Sequence, residues 1–191
     1  MVHAVKTTIY STREKYLTLE EQSDIKHEFF QGEIFAMSGG TYNHSKIAVN
    51  ITSELSSKLR GKNCTPMNSD MRIHTPSGLD TYPDVSVFCG KPELQDQQRS
   101  LLNPVLIVEV LSPSTRTYDR GDKFTLYRAI PTLQDYLLID SEQILVEHFR
   151  RTVNNEWILH EYHELKDNVT LTAIEEILNL AVIYEGIKEN E

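Results

Sequence analysis

Three side chains of this chain carry charge where the sequence around them is apolar or tightly patterned. From Pro104 to Leu111 every residue is apolar except Glu109. Such a run reads as a strand buried on both faces. A carboxylate inside it is costly unless it is paired or bound to a cation. Asp84 stands in Tyr82-Pro83-Asp84-Val85, at the head of a second apolar run that ends at Cys89. If 82–89 and 104–111 are adjacent antiparallel strands joined through 90–103, Asp84 lies five residues before Cys89 and Glu109 five after Pro104. The two carboxylates then sit level on neighbouring strands, within side-chain reach. Carboxylates that close repel unless one is protonated or a cation lies between them, and their oxygen donors suit Mg²⁺ or Mn²⁺. Lys123 lies four residues before Tyr127 and seven before Ile130 on a helix. It borders the apolar stripe and can reach back to the strand ends. Two acids, a divalent metal and a lysine are one solution to phosphodiester hydrolysis. The metal polarises a phosphoryl oxygen and acidifies bound water, and the lysine steadies the water or the developing charge. Asp70, on the preceding strand, is a further acid for the cluster.

Structural readings stand beside the chemical one. Asp84, after a proline, can equally start a strand and cap a turn. Glu109 can be half of a structural ion pair with Arg116, Arg120 or Lys123. Lys123 can be a solvated helix residue, and His44 an ordinary helix-start residue. The combination is more informative than any one member.

The elements that must position these residues follow from periodicity. Residues 1–15 are polar and expected to be loosely ordered. Thr18 followed by Glu21 has the form of a capping box for a helix over 18–24. Residues 27–37 read as a hairpin turning at Gln31-Gly32. Ile47, Ile51, Leu55 and Leu59 recur every four residues and predict an amphipathic helix over 43–60, ended by Gly61. Strands are expected at 67–74, 82–89 and 104–111, with 90–103 a polar surface excursion. A helix over 117–130 is stopped by Pro131. Further strands are expected at 135–140, 143–150 and 156–164, the last two turning at Asn154-Asn155. A mixed tail covers 169–185. The 191 residues read as one α/β domain, whose middle runs α, β, β, β, α, β.

The net charge of −9 argues against a general nucleic-acid binder, although a local basic patch is compatible with it. Cys64 and Cys89 form neither a metal motif nor a disulfide framework, so reduced thiols are the simpler reading. With no signal-like or bilayer-spanning apolar run, a cytoplasmic protein without a membrane partner is expected.

Several segments together resemble the Uma-two family of restriction-endonuclease-like proteins. They are Tyr82-Pro83-Asp84-Val85, Val108-Glu109-Val110-Leu111-Ser112-Pro113-Ser114, and Tyr118-Asp119-Arg120-Gly121-Asp122-Lys123 with Tyr127. His27-Glu28 with Gln31-Gly32-Glu33, and Gly40 with His44, match its N-terminal pattern. The resemblance covers roughly residues 17–185. It implies the PD-(D/E)XK nuclease fold, with an α-β-β-β-α-β core, an extra N-terminal hairpin and additional C-terminal strands. It implies Asp84 and Glu109 as Mg²⁺ ligands, DNA as substrate and a homodimer as the acting form. The motif's lysine is due at Leu111, where this chain departs from the pattern. Lys123, on the following helix, is the matching position. The upstream acid of such sites corresponds to Glu28, with Glu54 on the long helix as the alternative. A fold kept for binding or assembly without catalysis is the second hypothesis, and hydrolysis of another phosphate ester the third.

Overall fold

The computed structural model describes residues 11–188. Helix α1 (Arg13–Gln22) starts at Thr12, whose hydroxyl accepts from the Lys15 N–H. Thr18, expected to begin a helix, lies inside α1, and its hydroxyl bonds back to the Glu14 carbonyl, the usual outlet for a mid-helix threonine. Of the stretch 1–15 expected to be loosely ordered, residues 13–15 belong to α1, and residues 1–10 lie outside the described residues. Strands β1 (His27–Phe30) and β2 (Glu33–Ala36) form the expected hairpin. Gln31 and Gly32 both have positive φ, as a tight two-residue hairpin turn requires. Helix α2 (Tyr42–Lys58) is capped by Thr41, and Ile47, Ile51 and Leu55 on its apolar face are fully buried.

The strand expected over 67–74 is two strands, β3 (Cys64–Asn68) and β4 (Arg72–His74), separated by a turn that the Met71 N–H closes on the Asn68 carbonyl. The strand expected over 82–89 is likewise divided, into β5 (Asp80–Thr81) and β6 (Val85–Cys89). Pro83 between them has no N–H to give a ladder. The surface excursion contains the short strands β7 (Leu94–Gln95) and β8 (Ser100–Leu101). Then come β9 (Leu106–Leu111), β10 (Asp135–Asp140), β11 (Val146–Arg151), β12 (Trp157–Tyr162), β13 (Asn168–Leu171) and β14 (Glu176–Asn179). The helix expected over 117–130 is broken. A single turn α3 (Arg116–Tyr118) runs into a wide π turn at Asp119–Lys123 and then α4 (Phe124–Tyr127). Helix α5 (Leu180–Ile183) is the last element among the described residues.

Two six-stranded sheets result, ordered β12-β11-β10-β9-β6-β3 and β2-β1-β5-β4-β8-β7, beside the hairpin β13–β14. The succession α2, β3, β6, β9, broken helix, β10 is the α, β, β, β, α, β order expected. One face of the first sheet buries Val85, Val87, Leu106, Val108, Val110, Leu137 and Ile139 in a core with α2 and the C-terminal hairpin. The other face buries Ile107, Leu111, Tyr136 and Leu138 against Phe124, Tyr127 and Ile130. Strand alternation puts Glu109 on this second face, with Ile107 and Leu111, toward the broken helix. At Tyr82-Pro83-Asp84 the chain leaves the second sheet and enters the first, so these residues mark the seam between the two.

The cysteines correct the expectation of reduced thiols. Cys64 and Cys89 are cross-strand partners on β3 and β6, their Cα atoms 4.0 Å apart, and they form a disulfide. A cross-strand pair places two Cβ atoms face to face, which sequence spacing does not reveal. The expectation of a cytoplasmic location loses the support it drew from free thiols. Among the described residues no helix is long and apolar enough to cross a membrane.

Candidate active site

The register of β6 on β9 decides where the acids lie. Val85 pairs with Val108, Ser86 with Ile107 and Val87 with Leu106. Extended by one residue, this register sets Asp84 opposite Glu109, as the count from the connecting loop predicts. Asp84 sits just where β6 stops pairing, and its Oδ2 accepts the Val110 N–H at 2.7 Å. The carboxylate thus takes over a backbone partner that the departing strand no longer supplies.

Lys123 is buried with 5% of its surface exposed. Its Nζ lies 2.8 Å from Glu28 Oε1, 2.9 Å from Glu109 Oε1 and 3.6 Å from Asp119 Oδ1. Tyr127 donates its hydroxyl to the same Glu109 oxygen at 2.7 Å. Thr81, on β5, donates to Glu28 Oε1. Asp119, Lys123 and Tyr127, spaced by four, point inward from the broken helix, while Glu28 comes from β1 in the second sheet. The cluster therefore closes the seam between the two sheets. Leu111, where a strand lysine would stand, is fully buried in the core, and Lys123 reaches Glu109 from the helix.

The cluster is acid-rich. Glu109, Glu28 and Asp119 face one lysine. Burial pushes the Glu109 carboxyl up to about 8; Lys123 opposes the rise, and the negative charges of Asp119 and Asp84 add to it. Burial also raises Asp119, against the pull of Lys123. For Lys123, burial acts to lower the pKa, but Glu109 and Glu28 outweigh it and hold the ammonium well above its ordinary value. His44, in the first turn of α2, lies 3.4 Å through Nε2 from Asp84 Oδ2. Burial opposes its charge, yet Asp84 raises its pKa overall. Gly40 makes room for that ring, since a Cβ there would come within 2.5 Å of His44 Nδ1.

Of the residues singled out from sequence, Glu109, Lys123 and Glu28 come into contact, and Asp84 stands across from Glu109 on the adjacent strand, close enough for its charge to raise the Glu109 pKa. Asp70 does not join them. It pairs with Lys26 at 2.6 Å on an exposed turn, because the turn after β3 carries it off the strand. Glu54 pairs with Lys58 one turn along α2. The structural partners weighed for Glu109 divide. Lys123 reaches it, whereas Arg116 pairs with Asp140 and Glu142, and Arg120 with Glu147. Sequence reasoning passed over Asp119 and Thr81 and treated His44 as a helix start. The four-residue spacing of Asp119, Lys123 and Tyr127 was the available signal.

The donor chemistry suits a hard divalent cation. Asp84 and Glu109 stand across from one another on adjacent strands, and three acids contact the one lysine. Among the described residues no three His, Cys, Asp or Glu side chains gather into a metal-binding group. Mg²⁺ does not demand one, since it is often held by one or two carboxylates with water and phosphate filling the remaining positions.

This mixed architecture is restriction-endonuclease-like, and known proteins place it further. A crystal structure of "a putative nuclease belonging to DUF820" from Anabaena variabilis matches with a TM-score of 0.70, over 88% of this chain and 96% of that one. At 18% identity that likeness concerns the fold alone. The Uma2 family model, described as "Putative restriction endonuclease", matches residues 13–182, and the chain belongs to that family. Two uncharacterized proteins of Synechocystis sp. are each 40% identical, one over 91% of both chains, the other over 82% of this chain and 90% of its own.

Proposed function

We propose that the chain is a metal-dependent endonuclease that hydrolyses phosphodiester bonds of DNA. The observation that carries this reading is the convergence of Glu28, Glu109 and Lys123 within 2.9 Å contacts, with Asp84 on the neighbouring strand. Asp84 and Glu109 would hold Mg²⁺ or Mn²⁺. When bound, the cation would polarise a phosphoryl oxygen and acidify a water. Lys123, fixed between Glu28 and Glu109, would orient the water and stabilise negative charge as it develops on the phosphoryl oxygens. The water gives up a proton to solvent as its oxygen bonds to phosphorus, the phosphorus–oxygen ester bond breaks, and the leaving oxygen takes a proton from solvent. Glu28 and Asp119 keep the lysine charged and in place. Cutting both strands of a duplex takes two such sites, which a homodimer supplies.

The test is Mn²⁺ calorimetry and plasmid nicking on the wild type, Asp84→Asn and Glu109→Gln. Metal binding and nicking by the wild type, both lost in the two variants, are expected. An absence of binding at millimolar metal overturns the reading and leaves a nuclease fold that serves binding or assembly.

A further inference from the structure

We propose that the cavity beside the acid cluster is a binding site for an unstacked nucleobase of the strand being cut. The cavity measures about 500 Å³ and is lined by Glu28, Phe30, Phe35, Tyr118, Asp122, Thr125 and Leu126. Its walls follow from register. Phe35 is the cross-strand partner of Glu28 on the β1–β2 hairpin, and Phe30 lies two residues beyond Glu28 on β1. The three side chains therefore share one face of the hairpin. The face that sends Glu28 to Lys123 also presents two half-buried phenyl rings.

The opposite wall is the broken helix. Its π turn sends Lys123 inward and leaves Tyr118, Asp122 and Thr125 along the cavity. Two of the lining residues meet the Lys123 ammonium: Glu28 at 2.8 Å, and the Tyr118 ring, whose centre lies 5.9 Å away. Whatever occupies the cavity therefore lies one side chain from the group proposed to act on phosphate, and this inference rests on that nuclease reading. In a nucleic-acid strand held at the cluster, the flat apolar group nearest the phosphate is a base. It can enter only when detached from its stack.

The chemistry of the lining agrees. Phenyl and phenol rings stack on any base, and such contacts tolerate sequence. Glu28 and Asp122 add acceptors for exocyclic amino groups, and Thr125 adds a hydroxyl. The phosphate backbone gains little general attraction from a chain of net charge −9. Arg116 and Arg120, which precede Lys123 on the broken helix, are already paired with acids. Stacking in the cavity supplies affinity that this electrostatic pull does not.

The experiment uses single-stranded oligonucleotides, one carrying 2-aminopurine and one with an abasic position in its place. Ca²⁺ replaces Mg²⁺ so that neither is cut. The wild type should bind the first with quenched fluorescence. Phe35→Leu, which keeps an apolar side chain on the hairpin, should weaken that binding by about 5- to 150-fold, and Phe35→Trp should restore it. The abasic strand should bind all three proteins equally weakly. If Phe35→Leu binds like the wild type, or if the abasic strand binds as tightly as the intact one, the base site is refuted. Plasmid nicking separates the two readings. Nicking by the wild type with unchanged Phe35→Leu binding removes the base site and leaves the nuclease. Quenching that needs Phe35, in a protein that never nicks, removes the nuclease and leaves the base site.

Discussion

Replacing Lys123 by methionine tests the cluster most directly. The substitution keeps the length and apolar stem of the side chain and removes the one ammonium that faces Glu28, Glu109 and Asp119. Removing one partner of a buried ion pair costs about 3–5 kcal/mol, and here Glu28 and Glu109, both at most 9% exposed, would be stranded. The protein can recover part of the loss by taking up protons. Lys123 holds the Glu109 carboxyl down, so its removal drives that pKa above about 8, and Asp119, which Lys123 also pulls down, rises with it. The native variant then holds more protons than the native wild type at the same pH, while the unfolded chains titrate alike. A carboxyl whose folded pKa is raised favours folding at low pH and loses that advantage as pH rises toward the folded pKa. The penalty for Lys123→Met therefore grows with pH, by about 1.4 kcal/mol per unit for each extra proton held. Because Glu109 already holds its proton at pH 6 in the wild type, the difference opens only above pH 7: urea unfolding followed by circular dichroism should show a penalty that is larger at pH 9 than at pH 6 by up to about 1.4 kcal/mol. A penalty under about 1 kcal/mol at pH 9, or one independent of pH, would mean that Lys123 is not the charge holding these acids together.

Other expectations concern neighbouring features. Asp96 accepts from Arg13 and Ser100, and these bonds outweigh burial to hold its pKa at about 2. Its contribution is present above the ordinary carboxylate range and lost as pH falls through about 2. Asp96→Asn should cost about 2 kcal/mol at neutral pH and flatten the wild type's loss of stability between pH 4 and 2, measured by acid unfolding. Reducing Cys64–Cys89, which are 25 residues apart, should lower stability by about 3 kcal/mol, seen as a lower Tm in dithiothreitol that Cys64→Ser abolishes. Gly40→Ala should push the His44 ring off Asp84, so the His44 pKa should fall in an NMR titration while the fold is kept. An unchanged His44 titration would show that the glycine is not needed for the ring.

The acids were legible in the sequence because each interrupts a pattern. Glu109 is the only charge in a buried strand, and counting back through 90–103 gave the register that sets Asp84 against it. The core order could be read because α2 and the strands β6, β9 and β10 are long enough for periodicity to show. Of the second sheet only the β1–β2 hairpin could be read. Several of its strands are two or three residues long, too short to alternate, and β4 pairs with β8 across a long stretch of chain. The break in the helix was hidden as well, since a π turn shifts the inward positions without changing which residue types form a helix. The Cys64–Cys89 bond depends on pairing between strands, which spacing alone does not specify. Glu28 was found through resemblance, because nothing in the hairpin's own pattern distinguishes it from a surface acid.

The seam at Tyr82-Pro83-Asp84 also bears on how the chain folds. The acid cluster draws on β1, β9 and the broken helix, which are far apart in sequence and belong to different sheets. An ammonium without its carboxylates has no favourable route into the interior, so Lys123 becomes buried only when both sheets and the helix close on one another. The last event in assembly is then the docking of the hairpin, and loops this long make such docking slow. In stopped-flow refolding, quenching of Trp157 near Phe124 should precede protection of the Phe29 amide on β1, and the competence of the site should follow the second step.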